Sequence, residues 1–161
     1  MTKTAAVLLS GSGVYDGSEI HESVLTLLSL EKAGLNYKCF APNKPQMHVI
    51  NHLNGEEMNE TRNVLIESAR IARGDIQALA DLSAEDYDLL VMPGGFGTAK
   101  NHTDWAVNGS DGDIDPTVQK VIRSFHALGK PIVAFCMAPT TVAKAFQGSD
   151  IAAELSVGNT S

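Results

Sequence analysis

The chain has 161 residues, 43% hydrophobic and 19% charged, the size and balance of one globular domain with its own core, which excludes a disordered segment, a fibrous repeat and a disulfide-dependent scaffold. Twelve Lys and Arg against nineteen Asp and Glu give a formal net charge of −7 with no basic cluster, so no nucleic-acid partner is expected. Its apolar runs fall far short of the roughly 20 residues of a membrane-spanning helix, so no membrane role is expected either.

The first apolar run, residues 5–9, has strand length and is too short for the apolar region of a signal peptide. With two distant cysteines, Cys39 and Cys136, it points to a reduced, cytoplasmic setting. A glycine-rich loop over 10–17 follows, then a helix over 18–33 closed by Gly34. Ile20, Val24, Leu27, Leu28 and Leu30 form its apolar stripe, with Ser18 as N-cap. Residues 37–41 read as a second strand, stopped by Pro42 and Pro45. Residues 47–53 alternate loosely, as a short edge strand, a hairpin arm or a loop.

A helix is expected over 59–73, with Glu56, Glu57 and Glu60 near its start, Arg70 and Arg73 at its end, and Gly74 beyond it. Residues 89–92 are a buried strand. The polar connection 94–112 is long enough to expect function from it. Residues 116–128 form a helix, 132–135 a strand and 138–146 a helix. Strands alternating with helices predict one α/β domain over 1–161, with a mainly parallel sheet covered by helices on both faces and its chemistry at the carboxyl ends of the strands.

Two motifs fall short of what they first suggest. Gly11 and Gly13 fit the start of a dinucleotide fingerprint, but its third glycine falls on Asp16. Asp111, Asp113 and Asp115 alternate like a calcium loop, but Pro116 and Ile122 stand where the turn glycine and the bidentate glutamate belong. The five histidines form no ligand grouping with the cysteines, so no metal is expected.

Cys136 stands where an apolar strand meets a helix, an elbow that presents nucleophiles. The free N–H groups of the following helix are expected to lower its pKa. The alternative is a buried core cysteine, and Cys39, inside a strand, takes that reading. Residues 93–97, Pro-Gly-Gly-Phe-Gly, follow another strand, and their glycines free N–H groups for an oxyanion.

The stretches 11–22, 40–54, 60–74, 92–101 and 130–139 resemble the ElbB family, the isoprenoid-biosynthesis or sigma cross-reacting proteins. These sit in the ThiJ/PfpI branch of the class I glutamine-amidotransferase-like superfamily. The resemblance is carried above all by Val14, Tyr15, Asp16, Gly17, Ser18, Glu19, Ile20, His21 and Glu22, and by Ile50, Asn51, His52 and Leu53. It implies a flavodoxin-like three-layer sandwich with Cys136 as nucleophile and Glu22 beside it, Glu19 being the fallback one turn earlier. Oxyanion donors would be the N–H groups of Gly95 and Met137, with a substrate pocket around Gly13, Gly94, Phe96 and Asn101.

The implied activity is a cofactor-independent glyoxalase-type lyase, turning glyoxal or a related small dicarbonyl into a hydroxy acid, or the related removal of early glycation adducts. The alternative is a non-catalytic redox-sensing or chaperone-like protein with Cys136 as its oxidisable thiol. The family's settings are the bacterial cytoplasm and the mitochondrion, and a homodimer is among the assemblies it allows. No histidine follows His126, so the Cys–His pairing of the superfamily's proteases and amidotransferases is absent. Family members also continue past residue 161, so a last strand and helix are expected to be missing, with Leu155 to Val157 as a short edge strand.

Overall fold

The computed structural model describes residues 2–156. In chain order the elements are β1 (Thr4–Leu8), α1 (Ile20–Lys32), β2 (Asn36–Ala41), α2 (Val64–Ala72), β3 (Ile76–Ala78), β4 (Leu89–Met92), α3 (Trp105–Asn108), α4 (Pro116–Ala127), β5 (Ile132–Ala134) and α5 (Ala138–Phe146). The strands pair in the order β3-β2-β1-β4-β5, every neighbour parallel. Alternation along β1 sends Ala6 and Leu8 to one face, where Phe40, Leu90 and Met92 join side chains of α4 and α5. Ala5, Val7 and Leu9 go to the other, with Cys39, Ala41 and Val91 under α1 and α2. The result is the flavodoxin-like three-layer sandwich, both faces of its parallel sheet carrying helices.

Chain order reverses between β1 and β4, so the loops leaving their carboxyl ends diverge and open a crevice. Residues 10–17, 93–97 and the β5–α5 join all meet there.

Several elements differ from the sequence expectation. α1 begins at Ile20 with Glu19 as N-cap: the Glu19 carboxylate accepts the Glu22 N–H at 2.6 Å, while the Ser18 hydroxyl turns inward to the Ser10 N–H. The second helix starts only at Val64, capped by Asn63. Residues 45–63 fold back as a hairpin instead, with antiparallel bridges Pro45 to Asn63 and Ile50 to Glu57, so Glu56, Glu57 and Glu60 belong to the hairpin and not to the helix's first turn. The connection after β4 holds a π-helical turn, Thr98–His102, then α3 and a 3-10 turn. Asp115 caps α4 by accepting from the Thr117 and Val118 N–H groups.

The stripe expected along the first helix is not buried. Leu27 is covered, but Ile20, Val24 and Leu28 are more than 40% exposed. A groove of about 500 Å³ runs between α1 and strands β4 and β5, lined by Glu22, Leu25, Leu30, Val91, Val133 and Phe135. β5 is one edge of the sheet among the described residues, β3 the other. Leu155 is exposed and in no strand, and Val157, the end of the expected edge strand, lies outside the described residues. No helix among the described residues is long and apolar enough to cross a membrane.

Candidate active site

Cys136 sits between the last residue of β5 and the start of α5 with φ 57°, a left-handed backbone conformation that costs a non-glycine residue energy. That strain turns the thiol out of the sheet, and the residue is exposed. Glu22, in the first turn of α1, reaches the same point. Its Oε2 accepts the Gly94 N–H at 2.9 Å, and its carboxylate is close enough to the Cys136 thiol to push the thiol pKa up. Gly94 fills the space between the two, because a Cβ there would collide with Cys136 Cβ and Sγ and with Glu22 Oε2. Its carbonyl accepts the Glu19 N–H at 3.0 Å, so a single residue after β4 fixes the start of α1 against the cysteine elbow.

The backbone N–H groups of Gly95 and Met137 are near enough to the thiol to pull its pKa down. Gly95 has φ 99°, and a side chain there would run into the backbone at Gly17, Ser18 and Glu19. The structure therefore brings Cys136, Glu22, Gly94, Gly95 and Met137 together. Glu19, the fallback, does something else: it caps α1 and pairs with His21 Nδ1 at 3.0 Å, and the N–H it accepts holds its carboxyl below the usual range.

The thiol pKa moves opposite to expectation. Burial, the largest influence, pushes it up. The Gly95 N–H pulls it down, the hydrogen bond and charge of Glu22 push it up again, and the Met137 N–H pulls it down. The balance lies above the ordinary thiol value. Pro139 in the first turn of α5 has no N–H to offer, which leaves that helix end a weak counterweight to a neighbouring carboxylate.

Of the residues expected to line a substrate pocket, Phe96 is exposed beside Gly95, whereas Asn101 and Gly13 are framework. Asn101 is buried, and its amide donates to the carbonyls of Ser10 and Asp16 at 2.8 and 2.9 Å while its oxygen accepts the Met47 N–H at 3.0 Å. No polar atom of its side chain is left for a ligand. Gly13, at φ 142°, lies so close to His52 and Asp16 that a Cβ would overlap both.

Sequence reasoning missed what Asp16 and His52 do. Asp16 is buried and accepts the Ile50 N–H at 2.7 Å. His52 bonds Ile50 O and the Tyr15 N–H through its two ring nitrogens, and stacks on Tyr15. The glycine loop and the hairpin are thus one joint, and Val14 O passes its position on by accepting the Phe96 N–H at 2.8 Å. The signal was the pairing of a Tyr-Asp-Gly run with an Ile-Asn-His-Leu run. His102 is another hidden clamp: fully buried, it bonds Leu9 O at 3.0 Å, and burial pushes its pKa down to about 4. Among the described residues no group of three or more His, Cys, Asp or Glu is placed to hold a metal ion.

The DJ-1/PfpI family model matches residues 13–150, a span that contains Glu22, Gly94, Gly95, Cys136 and Met137. The chain belongs to the DJ-1/PfpI family. It is 50% identical over 147 residues to the human glutamine amidotransferase-like class 1 domain-containing protein 3, mitochondrial, a match that covers 91% of this chain and 55% of that protein. Among solved structures it is similar to an isoprenoid biosynthesis protein with amidotransferase-like domain from Ehrlichia chaffeensis. That match has a TM-score of 0.87 and 42% identity, and covers 94% of this chain and 68% of the other. This agrees with the ElbB-type resemblance in the sequence. Glyoxalase III from Candida albicans, at a TM-score of 0.52 and 16% identity, shares the fold. The chain spans about half the length of the curated relatives it matches.

Proposed function

We propose that this DJ-1/PfpI chain carries a cofactor-independent enzyme that converts glyoxal, or a related small dicarbonyl, to a hydroxy acid through a covalent bond to Cys136. The observation that carries this reading is Glu22, held by the Gly94 N–H beside an exposed cysteine in a strained elbow. A raised thiol pKa suits such a site when a base stands beside it: the thiol stays protonated until substrate arrives, and Glu22 takes the proton as the sulfur attacks.

The sulfur adds to one aldehyde carbon, and the resulting oxyanion, held by the Gly95 and Met137 N–H groups, receives that proton to give a hemithioacetal. Glu22 then removes the C–H proton of this carbon, and through an enediol the proton returns to the neighbouring carbonyl carbon. One carbon is thereby oxidised to a thioester while the other is reduced to an alcohol, so no external electron carrier enters. Water cleaves the thioester, its hydroxyl going to the acyl carbon and its proton to the sulfur, and glycolate leaves. Purified protein should form glycolate from glyoxal without glutathione, nicotinamide or metal, and iodoacetamide treatment should stop it. Undiminished turnover after alkylation of Cys136 overturns the reading. A redox-sensing role is less well supported, because peroxide attacks the thiolate, and a raised pKa makes thiolate scarce at neutral pH.

The proposal includes a longer form of the domain. The apolar groove beside Glu22 and the edge position of β5 support a further C-terminal segment seated over α1, β4 and β5, in line with the sequence resemblance. A chain extended by the relatives' segment should unfold at a higher temperature and scatter less light at equal concentration. Equal midpoints and equal monodispersity would remove this part of the proposal.

A further inference from the structure

A cavity of about 450 Å³ lies between α3, the 3-10 turn Gly109–Asp111, the C-terminal end of α5 and the segment that follows it. Trp105, Ser110, Lys144, Phe146, Gln147 and Ile151 are among the residues that line it. Lys144 is only 8% exposed, and no carboxylate among the described residues stands within ion-pair distance of its ammonium. Its Nζ donates to Ser110 O at 2.7 Å, and Gln147 Nε2 donates to the same oxygen at 3.3 Å. An ammonium carries three N–H donors and an amide NH2 two, so at this wall donors far outnumber the single carbonyl they share.

A buried cation without a counter-charge is costly, and the cost is relieved by an anion that enters the cavity. In a chain of net charge −7, with acids available to pair elsewhere, this lysine is left with a neutral carbonyl. We propose that the cavity binds a small carboxylate carried on an apolar body, apart from the reaction at Cys136. The carboxylate takes the remaining N–H groups of Lys144 and Gln147, while the body lies against Trp105, Phe146 and Ile151. A phosphate suits this wall less well, because its other oxygens would face those apolar side chains with no donors.

Tryptophan occurs once in the chain, so its emission reports on this cavity alone. Benzoate and its neutral counterpart benzamide have nearly the same shape, and titrating each into the full chain separates charge recognition from apolar contact. Benzoate should change Trp105 emission saturably, and benzamide should bind roughly tenfold more weakly or worse. Lys144→Met should weaken benzoate by a similar factor and leave benzamide unchanged, while Lys144→Arg retains binding. Should Lys144→Met fail to fold by circular dichroism, Gln147→Ala at the exposed end of α5 carries the same test with a loss of severalfold. Equal response to benzoate and benzamide, no saturable response to benzoate, wild-type affinity in the folded charge-removing variant, or equal displacement by inorganic phosphate overturns the proposal.

Discussion

Two cysteines, on either side of the same sheet, show what makes a thiol useful. Cys39 lies within β2, paired in register with Val7 and Ile76, 1% exposed, and burial pushes its pKa up to about 11. Cys136 follows β5, an edge strand, and burial is again the largest influence raising its thiol. The direction of the pKa shift therefore does not separate them. What separates them is a backbone turn that exposes one sulfur, and a carboxylate placed to take its proton. Around Cys39 stand strand neighbours and core side chains; around Cys136 stand Glu22 and two N–H groups.

The largest expected effects come from removing either feature at Cys136. Cys136→Ser keeps nearly the same volume but replaces the thiol with a far weaker nucleophile, so glyoxal turnover should vanish while the far-ultraviolet circular dichroism stays unchanged. Turnover at the wild-type rate would end the covalent mechanism. Gly94→Ala should come close to the same loss while both reacting groups remain in the sequence, because the added methyl must displace Cys136, Glu22 or both. If that variant folds and works normally, the geometry drawn between the cysteine and the glutamate is wrong.

Glu22→Gln sharpens the comparison because it moves two readouts in opposite directions. The amide cannot take or return a proton, so turnover should fall about a hundredfold. The carboxylate raises the thiol pKa through its hydrogen bond and its charge, so the variant's thiol should titrate lower than wild type. Alkylation rate measured against pH rises as thiolate forms, with a midpoint above the ordinary thiol value of about 8.5 in wild type. Its midpoint should drop in the variant, making the sulfur faster toward iodoacetamide at neutral pH while it is slower toward glyoxal. Parallel changes in both readouts would mean that Glu22 only shapes the pocket. Glu19→Gln should affect helix stability more than either readout, since Glu19 caps α1.

The alternation of strand-length apolar runs with helical patterns was enough for the parallel sandwich, because β1, β4 and β5 are short, apolar and bounded by turn residues. The cysteine elbow was legible for a similar reason: a strand, a single cysteine and a helix follow one another within a few residues. What stayed hidden depends on contacts between distant residues. Nothing local reveals that Asp16 is a buried acceptor for Ile50 or that Asn101 ties three loops together, and although a hairpin arm is among the readings of residues 47–53, nothing local shows the hairpin running on to residue 63 and delaying the second helix. Leu28 satisfied the helical period and still faces outward, because periodicity marks an apolar face without saying what covers it. The thiol pKa runs against the sequence expectation for the same reason: the helix end is local to Cys136, whereas the burial that raises the thiol most, and the Glu22 carboxylate that adds to it, come from residues distant in sequence.

The smallest expected effect belongs to the other cysteine. Cys39→Ala deletes a sulfur from a closed position between β1 and β3, so it should cost about 1 kcal/mol through the lost contacts and the small cavity left behind. That loss would appear as a slightly lower thermal midpoint, with glyoxal turnover near wild type. Thiol counting supplies the complementary measurement: in the native protein iodoacetamide should reach Cys136 and leave Cys39 unmodified, and denaturant should expose both. A Cys39 that alkylates in the native state at the rate of Cys136 would mean that β2 opens on the timescale of the reaction, since reagent reaches a buried thiol only through local unfolding. The contrast between the two thiols would then rest on the dynamics of the sheet as well as on its static geometry.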